Sequence, residues 1–316
     1  MPNPVETDPE ISLAVRAAWL HYVGGLTQAA VAKRLGVPSV KAHRLIARAV
    51  DAGMVKVTVD GPMADCVELE DALCRRYGLE QAQVAPDLGE EGLPLRALGV
   101  AGAAFLRREI EQGGHGVIGL GHGRTLAAAV AAMPRFGAGG VRFVSLLGGL
   151  TRNYAANPHD VMHNLAAKTG ARAFVLPVPF FANSAEDRAV LLAQPGVQEI
   201  FDMSRAAPLK VVGIGTADES AQLVASGMIE PAEIAEINAA GGVGEMLGNF
   251  FDARGRVLET TLTARLLAVD LDGPSKTRIV AIAGAVAKAP AIRAVLESGR
   301  LTGLITDEPT ARALLG

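Results

Sequence analysis

The 316-residue chain is half hydrophobic and one-fifth charged, which excludes wholesale disorder and leads us to expect a small domain joined to a large one. A formal net charge of −3 excludes a nucleic-acid binder that is basic throughout. The first 60 residues nevertheless hold seven Lys/Arg against five Asp/Glu, and between Arg16 and Lys56 only Asp51 opposes those cations. A basic head on an acidic body suits a protein whose head alone meets phosphates. Cys66 and Cys74 form no C-x-x-C pair, the start MPNPVETDPEISLAV has no apolar run, and stretches such as Leu126–Met133 are too short to span a bilayer. A reduced, cytoplasmic protein with no membrane partner is expected.

From Ile11 to about Asp51 the pattern is helical, punctuated at Gly24-Gly25 and Gly36. Thr27 is placed to cap a helix over Gln28–Leu35, whose apolar face is Ala30, Val31 and Leu35. Gly36 permits a left-handed turn, and Pro38 suits the first turn of the next helix. There Ala42, Leu45, Ile46 and Ala49 point inward, while Lys41, His43, Arg44 and Arg48 point outward. An apolar stripe under a basic face is what a recognition helix needs to enter a major groove. Thr27, Gln28, Ser39, Lys41, His43, Arg44 and Arg48 are therefore the candidate contacts to double-stranded operator DNA. A generic helical hairpin with a solvated basic face is the alternative. Val55–Val59 alternates like a short strand, and Asp60-Gly61-Pro62 breaks the chain. The boundary is placed there, giving domains 1–60 and 61–316, with another helix over Cys66–Tyr77.

Beyond about Gln83, short β-branched runs alternate with Ala-rich stretches. The strand candidates are 116–120, 141–147, 173–176, 209–214 and 278–283. The fold class is α/β: a small all-α helix-turn-helix head and a large, mostly parallel α/β domain covered on both faces. Ligands of such sheets bind at the carboxyl ends of the strands. Gly119-Leu-Gly121-His122-Gly123-Arg124-Thr125 joins a strand to a helix, so backbone N–H groups, the helix N-terminus and the Thr125 hydroxyl can serve a phosphate or a polyol. Its G-x-G-x-G spacing is wrong for a dinucleotide fingerprint. The run Gly148-Gly149-Leu-Thr151-Arg152-Asn153 offers a hydroxyl, a guanidinium and an amide to sugar hydroxyls. Gly215 and Asp218 lie in a third strand-end turn, Glu245 and Asp252 supply carboxylates, and Lys288 follows the last strand candidate. His159 and His163 stand one helical turn apart, but no third ligand is evident. No metal, cofactor or catalytic residue is expected.

The runs L-T-Q-A-A-V-A-K-R-L-G-V, G-L-G-H-G-R-T-L, S-L-L-G-G-L-T-R-N, A-G-A-V-A-K-A-P-A-I and L-I-T-D-E-P-T-A, in that order, resemble the SorC family of sugar-responsive regulators. Within it, A-A-W-L-H-Y-V, P-S-V-K-A-H-R-L-I-A-R-A-V, G-E-E-G-L-P-L-R-A-L-G and L-P-V-P-F-F-A-N look closest to the branch that regulates erythritol catabolism. The resemblance implies a helix-turn-helix ahead of a domain related in fold to sugar-phosphate isomerases and deaminases. It also implies a small carbohydrate or phosphorylated sugar as effector and a dimer or tetramer. Lys288 matches the position of a phosphate-binding lysine in the related enzymes. Two departures are His122, where the family commonly has an aromatic or small residue, and Pro38, where a capping Ser is usual. The deaminase-type relatives carry a His shortly after a Gly-x-Gly turn. Here that stretch reads Gly213-Ile-Gly-Thr-Ala-Asp-Glu-Ser220, without one, so binding rather than catalysis is expected. A sugar-phosphate isomerase or deaminase with an added helical head is the runner-up.

Overall fold

The computed structural model describes residues 9–51, 54–55, 62–150, 161–219, 221–271 and 277–316. The chain divides into two compact units, Met1–Gly61 and Pro62–Gly316.

In the first unit α1 (Pro9–Ala18) runs on into one π turn at Trp19–Val23, followed by α2 (Gln28–Leu35) and α3 (Ser39–Asp51). The Thr27 hydroxyl accepts the Ala30 N–H at 3.3 Å and opens α2. Gly36, at φ 63°, closes it by donating to the carbonyls of Ala32 and Lys33. Ala42, Leu45, Ile46 and Ala49 of α3 are buried with Val31, Ala32, Ala14, Ala17, Ala18 and Leu20, while Lys41, His43, Arg44 and Arg48 are exposed. Two details differ from expectation. Ala32 is buried where Ala30 and Leu35 are only half-buried. Pro38 stands just outside α3, its carbonyl receiving the Ala42 N–H at 3.0 Å, because the helix starts one residue later. Of the expected strand at 55–59, only Val55 is among the described residues.

The second unit opens with α4 (Pro62–Tyr77) and is built on seven parallel strands. These are β1 (Gln81–Ala85), β2 (Val117–Leu120), β3 (Arg142–Leu150), β4 (Ala173–Pro179), β5 (Leu209–Val212), β9 (Arg278–Ile282) and β10 (Gly303–Asp307), in the order β1-β10-β9-β5-β2-β3-β4. A second, antiparallel sheet is made of β6 (Gly215–Thr216), β7 (Gly242–Met246) and β8 (Asn249–Asp252). The helices between are α5 (Leu95–Glu111), α6 (Arg124–Ala132), α7 (Met162–Thr169), α8 (Ala185–Leu192), α9 (Pro195–Ala206), α10 (Gln222–Ala225), α11 (Pro231–Ala239), α12 (Ala289–Glu297) and α13 (Glu308–Leu315).

Strands of a sheet covered on both faces are apolar without alternation, and β5 and β10 are buried at every position. Successive residues of β9 supply opposite cores. Ile279 and Ala281 join Leu73, Phe201, Ile292 and Leu314, while Val280 and Ile282 join Leu98, Leu106, Leu126 and Leu165. The strand order explains where a ligand can enter. From β2 the chain steps outward through β3 and β4, then returns to lay β5 against the other side of β2. At such a reversal the connections leave in opposite directions, and a crevice opens beyond the carboxyl ends of β2 and β5. Among the described residues no helix is long and apolar enough to cross a membrane.

Candidate functional site

At the end of β2 the Gly121 N–H still reaches the Val211 carbonyl of β5 at 2.8 Å. The chain then turns through His122 and Gly123 into α6. Gly123 has φ 127° and ψ 167°, a backbone state that side chains oppose, and it caps α6 without covering its N-terminus. The turn after β5 lies alongside, since a side chain on Gly213 would meet the His122 carbonyl at 3.3 Å. A third strand end closes the group. Beyond β9, the short turn Val286–Lys288 carries Lys288, whose ammonium donates to the Ile214 carbonyl at 2.8 Å.

Two adjoining lobes result. The inner, of about 60 Å³, is walled by His122, Arg124, Thr125, Glu245, Leu247 and Lys288 among others. The outer, of about 570 Å³, shares Arg124, Gly215 and Lys288 and adds Asp218, Ala285 and Asp307. Burial depresses the Lys288 ammonium pKa and the charge of Arg124 adds to this, while Glu245 and Asp218 offset part of it. Burial also pushes the Glu245 carboxyl up to about 7, against the Gly248 N–H that it accepts at 2.6 Å and the charge of Lys288. In the inner lobe Arg124 and Lys288 are thus faced by one carboxyl whose ionisation burial opposes, whereas Asp87, Glu90, Asp218 and Asp307 set four carboxyl groups around the outer lobe.

Of the expected effector residues, His122, Gly123, Arg124, Thr125, Gly215, Glu245 and Lys288 line the inner lobe, and Asp218 lines the outer. Gly121 is buried against Leu247. Thr125 plays a different part from the one expected. Its hydroxyl donates to the Ile282 carbonyl at 2.7 Å, pinning α6 to β9, so toward a ligand it can only accept. Gly149 lies within β3, which continues to Leu150, rather than in a turn, and Gly149 does not line the cleft. Asp252 is likewise elsewhere. Its carboxylate accepts the N–H groups of Arg254 and Arg256 at 2.9 Å and the Arg256 Nε at 2.7 Å, closing the turn after β8. The Arg256 backbone bond and guanidinium hold its pKa down. Thr151, Arg152, Asn153 and His159 lie outside the described residues. His163 is exposed, and among the described residues no three His, Cys, Asp or Glu side chains are grouped to hold a metal ion.

Leu247, Ala285 and Asp307 went unforeseen. Asp307 had a visible signal in the T-D-E-P-T run, where it caps α13 through the Thr310 N–H at 3.1 Å and hydroxyl at 2.7 Å. Leu247 and Ala285 had none, because their distinguishing property is backbone conformation. In the first unit Gln28, Ser39, Lys41, His43 and Arg44 are exposed, and Arg48 is ion-paired with Glu10 of α1.

A protein-family description, "Putative sugar-binding domain", matches residues 61–316. The chain is 66% identical over 309 residues to the erythritol catabolism regulatory protein EryD of Brucella abortus (strain 2308), covering 98% of each. It is 33% identical over 312 residues to the transcriptional regulator LsrR of Klebsiella pneumoniae, covering 97% of this chain and 93% of that one. The crystal structure of the full-length sorbitol operon regulator SorC from Klebsiella pneumoniae matches with a TM-score of 0.70 at 25% identity, covering 98% of this chain and 100% of that one. The chain belongs to the SorC family of transcriptional regulators.

Proposed function

We propose that the chain represses a sugar or polyol catabolic operon, that of erythritol first, and that a small carbohydrate or its phosphate in the cleft modulates its hold on operator DNA. Residues 1–60 are read as the DNA-binding domain and 61–316 as the effector domain. The observation that carries this reading is the convergence of Arg124, beyond the end of β2, and Lys288, beyond the end of β9, on one lobe at the sheet's reversal point. Burial disfavours the charge of Lys288, and an anionic group accepting from it would offset that cost, so a phosphorylated four-carbon sugar is slightly favoured over free erythritol. The 66% identity to an erythritol catabolism regulator supports the same operon class. Backbone strain adds support: among the described residues the two non-glycines with positive φ are Leu247 (51°) and Ala285 (87°), and both line the cleft.

On this reading the head contacts DNA through Thr27, Gln28, Ser39, Lys41, His43, Arg44 and Arg48. A two-fold operator calls for a dimer or tetramer. Thr151, Arg152 and Asn153 remain proposed effector contacts on sequence grounds. The test is fluorescence anisotropy on DNA from upstream of the chain's own gene, titrated with erythritol and erythritol phosphate. Release of DNA by either ligand is expected. The paired variant Thr151→Ala, Arg152→Ala should bind DNA normally and lose the response. Turnover of a sugar phosphate with no DNA binding would instead favour an isomerase or deaminase.

A further inference from the structure

We infer that Leu247 sets the length of the carbohydrate chain that the cleft accepts, an inference that rests on the cleft being the effector site. Strands β7 and β8 pair Met246 with Asn249, leaving Leu247-Gly248 as a two-residue hairpin turn with φ of 51° and 77°. Turns with positive φ at both central positions select Asn, Asp or Gly at the first, because the Cβ of any other side chain there crowds the following carbonyl oxygen with no local hydrogen bond to offset it. Leucine is retained here against that preference. Its side chain is 5% exposed, and it leaves so little room over the end of β2 that a Cβ on Gly121 would lie 3.2 Å from Leu247 Cδ2.

What leucine adds over Asn or Gly is apolar bulk, and that bulk forms part of the wall of the smaller lobe beside Glu245 and Lys288. Arg124 and Lys288 border both lobes, so a ligand gripped by them has its chain directed either toward Leu247 or out into the roomier lobe. A wall residue held in place by a conformation that opposes it is a fixed stop rather than a yielding one. One carbon too many against such a stop is worth roughly tenfold or more in discrimination.

The experiment is calorimetric titration of the full chain with erythritol, ribitol, sorbitol and their monophosphates, repeated on Leu247→Gly and Leu247→Ala. Gly relieves the turn and Ala does not, while both remove the bulk. Thermal melts without ligand establish that each variant is folded. Wild type should favour the four-carbon probes by about tenfold or more over the next longer one, and both variants should narrow that gap to a few-fold. Equal acceptance of all lengths by wild type overturns the inference, as does an unchanged ranking in the variants, or a change in Leu247→Gly alone, which would trace to the backbone. If wild type binds none of these probes, the effector reading falls and this inference with it. If wild type binds and only the ranking fails to move, the effector reading stands without Leu247.

Discussion

Lys288 reaches the Ile214 carbonyl at 2.8 Å, so the turn after β9 is tied to the turn after β5 by the cation that faces the cleft. With one proton engaged there, its other N–H groups remain to meet a ligand. Lys288→Met keeps much of the aliphatic stem and removes the charge. It should weaken erythritol phosphate by about 1.5–3 kcal/mol, the usual worth of a hydrogen bond to a charged group. Titration calorimetry checks this. Tight binding of free erythritol, indifferent to Lys288, would leave a polyol pocket with no phosphate role.

Glu245 makes the fold pH-sensitive in a predictable direction. Its carboxyl stands at about 7 in the folded chain, raised by burial from an ordinary value near 4.5. Between those values the folded state holds more protons than the unfolded one, so this group's contribution to stability falls as pH rises from about 4.5 to about 7. The loss is on the order of a few kcal/mol. Glu109 and Asp252, whose pKa values are lowered, act oppositely and at lower pH. The difference in denaturant stability between wild type and Glu245→Gln should therefore change steadily across that window. A difference independent of pH would mean that Glu245 is ionised throughout.

Much of the architecture is legible in residues taken alone. β5, read as 209–214, is observed as Leu209–Val212, because a short β-branched run ending at glycine is too short for a helix, even with Lys210 within it. The edge strand β1 reads Gln-Ala-Gln-Val-Ala, half-exposed, and its Val84 N–H is met by the Glu70 carboxylate rather than by another strand. Nothing in that pattern announces a sheet. The β7–β8 hairpin was hidden for a related reason, since its turn is Leu-Gly where Asn-Gly or Asp-Gly would have signalled it. The charged site residues Arg124 and Lys288 could be picked by chemistry and position. Asp252 was misassigned because a carboxylate that closes a local turn looks, in sequence, like one that awaits a ligand.

In the head, Arg44 and Arg48 share a helical face but differ in circumstance. Arg48 is engaged by Glu10 from α1, which diverts part of its charge from DNA. Arg44→Ala should weaken operator binding by about 1–3 kcal/mol if the guanidinium reads a base edge. Arg48→Ala should cost less. Anisotropy at several salt concentrations separates base from phosphate contacts, since loss of a phosphate contact also lowers the salt slope. Full operator affinity in Arg44→Ala would remove α3 from the recognition role.

The opposite end of the sheet offers a control that probes folding without touching the cleft. Glu109 of α5 is 8% exposed and accepts both terminal nitrogens of Arg278, at 2.9 and 3.0 Å, while His115 Nε2 lies 2.8 Å from the same carboxylate. Arg278 begins β9 and His115 precedes β2, so one carboxylate ties a helix to the amino-terminal ends of two strands. Two fork-matched bonds to a guanidinium and a third to an imidazole explain why its pKa is held down despite burial. Glu109→Gln can satisfy one of the two guanidinium bonds and leaves the positive charge unbalanced. Breaking a fully buried pair costs about 3–5 kcal/mol. The Arg278 side chain is 30% exposed, which lowers the expected loss to about 2 kcal/mol. Urea melts should show a lower midpoint with an unchanged slope, because the surface uncovered on unfolding is the same. Effector affinity measured well below the new midpoint should match wild type, since the carboxyl ends of β2, β5 and β9 keep their own ties through Gly121, Lys288 and Thr125. A variant that kept wild-type stability but lost effector binding would show the two ends of the sheet to be coupled.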